Sequence, residues 1–500
     1  ALEEDANAFC EKARKYEREK LAEPEKYPVF HITAPVGWIN DPNGFSLYQG
    51  EYHLFYQYHP YDNHWGPMHW GHCKTVDFVR WDRLPCALAP DMDYDGQGCF
   101  SGSAIEYEGK HILMYTGVKE TEKKDGTKET FQTQSIAIGD GISYEKLEQN
   151  PVICTNLLPE GSVKADFRDP KIWREKGNFY AAVGGMDQKE GGQILLFSSR
   201  DVVEWKLEGI LDRNQNRYGT MWECPDFFDL NGRKILLVSA VAMQAEKTEF
   251  HNGNNSIYFV GTCDEEKNFR RGEAHEIDCG LDFYAPQTLE TEDGRRIMIG
   301  WMHSWDNDLT PDGAVWNGMM TIPRELGLKG DRLIQNPVRE LENYRRNKVV
   351  YRDVVLTCED GERELYGING RILDMTVAIQ KGNYREFQIA LAANQKNCTL
   401  LVHDKERGML RLDRTRSGMT RDLTAVRTIP WEKQDEIGMK FRILMDRFSV
   451  EIFVNDGELA MSTVIYTDLS ARGICFSCDG TAEFSVLKYD VDVPSAEYKI

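Results

Sequence analysis

Residues 38–44, Trp-Ile-Asn-Asp-Pro-Asn-Gly, hold a carboxylate in a position that could do chemistry. Asp41 stands directly before Pro42, whose ring fixes its own φ, and Gly44 permits a tight turn. A carboxylate with so little freedom is suited to nucleophilic attack on a sugar carbon. Because Asp-Pro and Asn-Gly are also ordinary turn dipeptides, the segment alone does not separate a catalytic aspartate from a turn.

A repeated pattern of a glycine followed by an apolar strand predicts the elements that position this acid. The glycines are Gly50, Gly109, Gly177, Gly232 and Gly294, spaced about sixty residues apart. Each unit is too long for one hairpin and long enough for four short strands. Five such units in succession predict a five-bladed β-propeller.

The strand before each repeated glycine carries a polar or acidic residue at a similar distance. Asp41, Ser101, Asp169 and Glu223 lie eight or nine residues before their glycine. In the fifth unit the corresponding residue is Asp282 or Tyr284. Because the first strand of each propeller blade lines the central axis, we expect these side chains to meet at one end of it.

Three carboxylates in one pocket repel one another, which costs stability and raises at least one pKa. A purely structural protein has little reason to build such a cluster, so the pattern favours catalysis. A calcium site is the main alternative, because carboxylates also cluster around hard cations. Arg168 beside Asp169 supplies a positive charge of its own. We therefore expect no metal and no cofactor.

The remainder of the chain divides by pattern into four predicted segments. Residues 1–28 form a charged, helix-prone N-terminal segment, and residues 29–336 form the propeller. A linker helix is predicted over 337–348. Alternating strands and the hairpin turn Asn455-Asp456-Gly457 predict a C-terminal β-sandwich over 349–500. The predicted fold class is all-β, and the sandwich is the candidate contact for a homodimer.

Composition narrows the partners and the compartment. The formal net charge of −21 disfavours binding to nucleic acid or to anionic membranes, and no apolar run approaches the length of a membrane span. The 12 cysteines show no framework spacing, which predicts free thiols in a reducing, cytoplasmic compartment. Because the chain starts without a Met, a secreted protein with its signal peptide removed is the alternative.

The motifs in their order resemble those of glycoside hydrolase family 32, which contains invertases, sucrose-6-phosphate hydrolases and fructan hydrolases. The resemblance covers nearly the whole chain. The motifs that carry it are residues 38–44, Trp70-Gly71-His72, Phe100-Ser101-Gly102-Ser103, Arg168-Asp169-Pro170, Glu223-Cys224-Pro225, Asp282-Phe283-Tyr284-Ala285, Gly300-Trp301 and Pro323-Arg324-Glu325-Leu326. The family's fold, a five-bladed propeller followed by a β-sandwich, agrees with the repeat pattern.

The resemblance also implies a role for each site residue. Asp41 matches the nucleophile that takes up the fructosyl group, Glu223 the acid/base, and Asp169 the transition-state stabiliser. The positions that match polar pocket residues are Asn40, Gln57, Ser101 and Arg168. The positions that match the aromatic wall are Trp65, Phe100, Tyr284 and Trp301. The implied activity is retaining hydrolysis of the terminal fructosyl bond of sucrose, sucrose 6-phosphate or short fructo-oligosaccharides, with a small sugar as the partner.

Three other functions fit parts of this pattern. A fructosyltransferase would use the same mechanism with an acceptor sugar in place of water. An inverting arabinan hydrolase also combines a five-bladed propeller with three acids, but its motifs differ from residues 38–44 and from Glu223-Cys224-Pro225. A noncatalytic fructan-binding module would be expected to lack one of the carboxylates, and all three are present. Lys119, Arg213 and Arg217 are the loop cations that could read a substrate phosphate.

Overall fold

The computed structural model describes residues 8–307, 309, 311–419, 423–431 and 438–498. The first described elements are the helix Ala8–Lys20 and the short 3₁₀ helix Pro24–Lys26. In the described ranges, no helix has the length and apolar character required to cross a membrane.

Five antiparallel four-stranded sheets follow in chain order, and we call them blades I to V. The strands of blade I are Gly37–Tyr48, Glu51–His59, His69–Thr75 and Asp82–Leu88. Those of blade II are Gly98–Tyr107, Lys110–Glu122, Lys128–Gly139 and Tyr144–Lys146. Those of blade III are Ser162–Glu175, Asn178–Asp187, Gly191–Ser199 and Trp205–Arg213. Those of blade IV are Trp222–Leu230, Arg233–Met243, Gly253–Cys263 and Phe269–Arg271, and those of blade V are Tyr284–Glu290, Arg296–Trp301, Arg324–Lys329 and Arg332–Pro337.

Three short elements complete this part of the chain. The strand Trp316–Asn317 pairs in parallel with the start of blade I, and His275–Glu276 pairs with the third strand of blade IV. A 3₁₀ helix, Thr155–Leu157, lies between blades II and III.

The repeated glycines form the turns between the first two strands of each blade. All five have positive φ, between 73° and 83°, which glycine adopts at little cost. In four blades the preceding residue also has positive φ, namely Gln49, Glu108, Lys176 and Asn231. Two successive residues with positive φ define the hairpin turn whose twist matches that of the flanking strands. The glycine spacing in the sequence therefore records the blade period.

The blades close into a ring. Each first strand contacts the first strand of the next blade, and that of blade V contacts that of blade I. Apolar side chains fill the space between neighbouring blades, as where Ile112 and Met114 of blade II share a cluster with Phe179 and Ala181 of blade III. The first strands thus surround a central axis.

Two six-stranded antiparallel sheets make up the C-terminal part of the fold. In spatial order, the strands of the first are Arg345–Thr357, Thr481–Val491, Leu373–Asn383, Met439–Asp446, Ser449–Val454 and Leu459–Val464. Those of the second are Arg363–Asn369, Gly473–Cys478, Glu386–Ala393, Thr399–Asp404, Met409–Asp413 and Val426–Pro430. A 3₁₀ helix, Cys358–Asp360, joins the two edge strands. Side chains from both sheets, including Val377, Ile389 and Phe441, form one buried core. The predicted all-β fold, a propeller followed by a β-sandwich, is confirmed.

The segment between propeller and sandwich differs from the predicted linker helix over 337–348. Only Arg339–Tyr344 is helical, as a 3₁₀ helix, and the first sandwich strand begins at Arg345. Arg345 and Arg346 pair with Val491 and Asp490, so the sheet ladder extends into the predicted helix. The predicted domain boundaries remain a prediction.

Buried ion pairs join propeller to sandwich. Arg324 of blade V, fully buried, donates to Asp278 Oδ2 at 2.9 Å and to Glu451 Oε2 at 2.8 Å. His31 lies between Asp446 and Glu451, with ring nitrogens 2.8 and 2.5 Å from their carboxylate oxygens. Burial alone would lower the pKa of His31, but the hydrogen bonds and charges of these two acids raise it to about 9. The two parts are therefore held together by charges that water does not reach.

Candidate active site

All five inner strands carry a β-bulge at the same level. In each blade the pairing between the first and second strands shifts by one residue, leaving an extra residue on the first. The bulged positions are Asn40-Asp41, Ser101, Asp169-Pro170, Cys224-Pro225 and Ala285-Pro286. Because a bulge bends its strand and re-aims the side chains beside it, the five bulges direct polar groups towards one end of the axis.

A proline at or just after the bulge explains this geometry in four of the five blades. Proline cannot donate to a sheet ladder and is tolerated in strands at bulges. The residues before three of these prolines have positive φ, at 69° for Asp169, 48° for Cys224 and 52° for Ala285. The prolines are Pro42, Pro170, Pro225 and Pro286.

This register corrects one predicted equivalence. Aligned on the prolines, Asp169 corresponds to Asp41 and to Cys224, whereas Glu223 lies one residue earlier, at the level of Arg168. Counting back from the glycine missed this because bulges change the number of residues per strand. In blade V the inner strand begins at Tyr284. Asp282 precedes it and binds Arg414 of the sandwich at 2.5 Å.

The three predicted catalytic acids do meet, and Cys224 connects two of them. Ser101 Oγ donates to Asp41 Oδ2 at 2.6 Å, and Asn40 Nδ2 donates to Asp41 Oδ1 at 3.2 Å. The Cys224 backbone N–H donates to Asp169 Oδ2 at 3.0 Å. The Cys224 thiol lies 3.4 Å from Oδ2 of each aspartate. The sequence analysis did not assign Cys224 a role. Its position directly before a proline, like that of Asp41 and Asp169, could have indicated that it lies beside them.

Glu223 is held by one cation and one hydroxyl. Arg168 donates to Glu223 Oε1 from Nε at 3.1 Å and from Nη2 at 2.9 Å. Tyr284 Oη donates to Glu223 Oε2 at 2.5 Å. Arg168 also donates from Nη1 to Asp166 and Gln132, at 2.9 and 3.2 Å, so its guanidinium is fixed on both sides. The positive charge predicted to balance the acids is therefore in direct contact with Glu223.

Burial and mutual repulsion perturb the acids. Burial, and then the charge of Glu223, raise the pKa of Asp41 to about 6. Burial raises the pKa of Asp169 to about 7, because the neighbouring acids add to burial and Arg168 offsets only part of the effect. Burial and the adjacent acids also raise the pKa of the Cys224 thiol. The cluster therefore retains a proton near neutral pH, and Cys224 stays a hydrogen-bond donor.

The remaining predicted polar residues line the same region from blade I. Asn40 is buried and accepts a hydrogen bond from Trp38 Nε1 at 2.8 Å. Gln57 lies opposite the Asn40-Asp41 bulge and donates to Asn43 Oδ1 at 2.8 Å and to the Cys99 carbonyl at 2.9 Å. Both amides are thus fixed in orientation next to Asp41.

The predicted aromatic wall is only partly exposed. Trp65 is 49% exposed and meets Phe100 edge-on, with ring centroids 6.2 Å apart. Trp301 is fully buried and stacks on His303, so it offers no face to a sugar. Trp305, which sequence reasoning missed, is 40% exposed and stacks on Trp38 with centroids 5.8 Å apart. Its position four residues after Trp301 was the available signal.

The acids and Cys224 are also the side chains that could form a metal site. Ligand atoms of Asp41, Asp169 and Cys224 lie within 4.8 Å of one another and could surround an ion. Their two carboxylates and one thiol combine hard and soft donors, which matches neither an all-oxygen calcium set nor a thiolate–imidazole zinc set.

The cations predicted to bind a substrate phosphate are each paired with a carboxylate: Lys119 with Asp93, Arg213 with Glu190 and Arg217 with Glu273.

Comparison with known proteins supports one family along the chain. Residues 31–337 match the model of the glycosyl hydrolases family 32 N-terminal domain, and residues 340–491 match that of the family's C-terminal domain. The sucrose-6-phosphate hydrolase of Zymomonas mobilis is 36% identical over 502 residues, covering 96% of this chain and 94% of that protein. The raffinose invertase of Escherichia coli is 36% identical over 456 residues, covering 89% and 90%.

A solved structure agrees with these relatives. The GH32 β-fructofuranosidase of Bombyx mori superposes with a TM-score of 0.85 at 31% identity, covering 98% of this chain and 99% of that one. A mutant of the same silkworm enzyme has been solved in complex with sucrose. The two family models together cover the propeller and the sandwich, and each of the relatives above 30% identity covers both. The chain therefore belongs to glycoside hydrolase family 32 and is a glycoside hydrolase.

Proposed function

We propose that this enzyme hydrolyses the terminal fructosyl bond of sucrose, sucrose 6-phosphate and short fructo-oligosaccharides by double displacement. The observation that carries the proposal is the meeting of three acids at one end of the propeller axis. Cys224 contacts both Asp41 and Asp169, and the preceding residue, Glu223, is bound by Arg168. Two acids with different partners are what a retaining glycosidase requires.

Asp41 is the proposed nucleophile. Hydrogen bonds from Ser101 and Asn40 hold its carboxylate on both oxygens, which limits rotation and favours one direction of attack. Attack on the anomeric carbon of the fructosyl group forms a carbon–oxygen bond to Asp41. The bond from that carbon to the leaving glucosyl oxygen breaks in the same step.

Glu223 is the proposed acid/base. It transfers a proton to the leaving glucosyl oxygen, and the resulting carboxylate then removes a proton from water. That water attacks the fructosyl carbon, breaks its bond to Asp41 and releases fructose with retained configuration. Arg168 and Tyr284 both donate to Glu223, so they orient the carboxyl group and stabilise it between the two proton transfers.

The two aspartates of the cluster hold a proton when no substrate is bound. The raised pKa values of Asp41 and Asp169 keep that proton on this pair near neutral pH. Sugar hydroxyls that donate to Asp169 would stabilise its ionised form. We assign Asp169 to this hydroxyl-binding role, next to the fixed amides of Asn40 and Gln57. A sugar lacking those hydroxyls would leave buried groups unpaired, at about 1–3 kcal/mol each.

We propose both sucrose and sucrose 6-phosphate as substrates. The names of the relatives include both a sucrose-6-phosphate hydrolase and a raffinose invertase. Each loop cation predicted to read a phosphate is paired with an exposed carboxylate. Because exposed ion pairs contribute little, a substrate phosphate can replace such a carboxylate at small cost. Comparing kcat/KM for sucrose, sucrose 6-phosphate and 1-kestose tests the proposal, and turnover of only one of the two sucrose substrates would contradict it.

A cytoplasmic location and dimerisation through the sandwich also belong to the proposal. All twelve cysteines, which lie within the described ranges, are free thiols, as expected in a reducing compartment. Fractionation of the source cells tests the location. Light scattering of the full chain tests the dimer, and a monomer at micromolar concentration would remove it.

The decisive experiment separates the two displacement steps. Glu223→Ala should lower sucrose turnover by several orders of magnitude. With an aryl fructoside, whose leaving group departs without protonation, azide should restore turnover of this variant by attacking the fructosyl–enzyme without base assistance. Asp41→Asn should be equally inactive and should not respond to azide. The control, Asp62→Asn, removes an exposed acid of the same blade and should leave turnover unchanged. Near-normal turnover by Glu223→Ala or by Asp41→Asn would refute the assignment.

A further inference from the structure

Two cysteines that are distant in sequence meet on the outer side of blade I. Cys10 belongs to the helix Ala8–Lys20, and Cys86 belongs to Asp82–Leu88, the outermost strand of the blade. Their Sγ atoms are 3.1 Å apart although 76 residues separate them. We propose that Cys10 and Cys86 are a redox modification site, in which a disulfide forms under oxidising conditions and ties the N-terminal helix to the propeller.

The helix is already held where the two thiols face each other. Glu17, one of its buried residues, accepts hydrogen bonds from Tyr58 of blade I at 2.6 Å and from Tyr498 near the C-terminus. Tyr16 packs edge-on against Tyr61, with centroids 5.2 Å apart. These contacts restrict sliding of the helix along the strand. The thiols are therefore kept together by packing that does not depend on their oxidation.

The remaining movement is small. A disulfide has an S–S length of about 2.05 Å, so the two sulfur atoms must approach by about 1 Å. Cys10 lies in the first turn of the described helix, where rotation of its side chain can supply that distance. Cys86 Sγ also contacts the Leu88 carbonyl at 3.2 Å, which fixes the direction in which its sulfur points.

The two thiols differ in access, which sets the order of the reaction. Cys86 is 6% exposed and burial raises its pKa, whereas Cys10 is half-buried and reachable from solvent. With a small disulfide such as oxidised glutathione, the Cys10 thiolate attacks one sulfur and expels one glutathione thiolate. Cys86 then loses its proton and attacks Cys10 Sγ, expelling the second. The protein loses two electrons and two protons, and the oxidant becomes two thiols.

The experiment uses the intact enzyme in buffers of defined oxidised-to-reduced glutathione ratio. Digestion with trypsin and with a protease that cleaves at aspartate separates Cys86 from Cys99, because Asp91 and Asp93 lie between them. Mass spectrometry of the unreduced digest should show a peptide pair joined through Cys10 and Cys86. The exposed Cys358 reports that oxidation took place, because it should carry glutathione.

Thermal unfolding tests whether the bond acts as a clamp. Oxidised wild-type enzyme should unfold at a higher temperature than reduced enzyme, because the disulfide restricts the unfolded chain. Cys10→Ser should abolish both the cross-link and this rise, and Cys358→Ser should preserve both. Unmodified Cys10, or a lasting mixed disulfide on Cys10, in a sample where Cys358 is modified would overturn the proposal. A complete cross-link without a rise in unfolding temperature would overturn the clamp.

Discussion

Replacing Cys224 by Ala tests whether its thiol tunes the acids. The thiol is the donor that approaches Oδ2 of both Asp41 and Asp169, at 3.4 Å each, and it lowers the pKa of Asp41. Cys224→Ala removes this donor but keeps the backbone N–H that binds Asp169. A net hydrogen bond to a carboxylate of roughly 1.4 kcal/mol corresponds to about one pKa unit. The pKa of Asp41, raised to about 6 in the wild type, should therefore rise further.

The sign of the effect follows from the role of Asp41. The nucleophile must be ionised, so a higher pKa moves the acid limb of the kcat/KM profile to higher pH. A shift of one unit lowers the ionised fraction about fivefold at pH 6, about twofold at pH 7 and little at pH 8. Cys224→Ser, with a stronger donor, should move the limb in the opposite direction.

The assay is the pH dependence of kcat/KM for sucrose from pH 4.5 to 8. Cys154→Ala is the matched control, because this half-buried cysteine donates to the Pro151 carbonyl and not to an acid of the site. An acid limb that coincides for wild type, Cys224→Ala and Cys224→Ser would refute the reasoning. A uniform loss at every pH would indicate displaced acids instead of altered proton affinity.

Three further predictions concern other parts of the structure. The pKa of His31 is about 9 in the folded protein against 6.5 unfolded, so its contribution is complete below pH 6.5 and disappears as pH rises through 9. That contribution to the free energy of unfolding is roughly 3 kcal/mol. In urea unfolding from pH 6 to 10, the free energy of unfolding should fall more steeply for wild type than for His31→Gln. Parallel curves would contradict this prediction. Because Trp65 is exposed, Trp65→Ala should raise KM about three- to tenfold and leave stability unchanged. Because Trp301 is fully buried, Trp301→Ala should lower the free energy of unfolding by about 3–5 kcal/mol. The reverse pattern would exchange the roles of the two residues. Lys146 donates to Asp91 and Asp95 at 2.5 and 2.6 Å, so Lys146→Met should destabilise the protein by about 3–5 kcal/mol. Lys119 forms a separate, exposed ion pair with Asp93, so the control Lys119→Met should leave thermal unfolding unchanged.

Local rules made much of the fold readable from the chain. The blade period was visible because a turn with positive φ requires glycine, and each of the five repeated glycines adopts it. The motifs around Asp41, Asp169 and Glu223 were visible for a similar reason, since a bulge in a strand accommodates proline. The one-residue offset of Glu223 was missed because counting residues assumes a regular strand, and each inner strand is bulged.

Contacts between distant segments were decided only by tertiary structure. Cys224 bridges Asp41 and Asp169 because the ring brings the bulges of blades I, III and IV to one point. Trp301 is buried and Trp305 is exposed, although both are tryptophans in one short segment. The connection between the second and third strands of blade V runs back to the start of blade I, where Trp316–Asn317 pairs. His31 and Arg324 both form ion pairs with Glu451 of the sandwich. By itself the sequence determined the blade period, the order of strands and which acids lie beside the bulges, because turns and bulges are local. Which donor each acid meets, and hence its proton affinity, depends on long-range packing that no local pattern encodes.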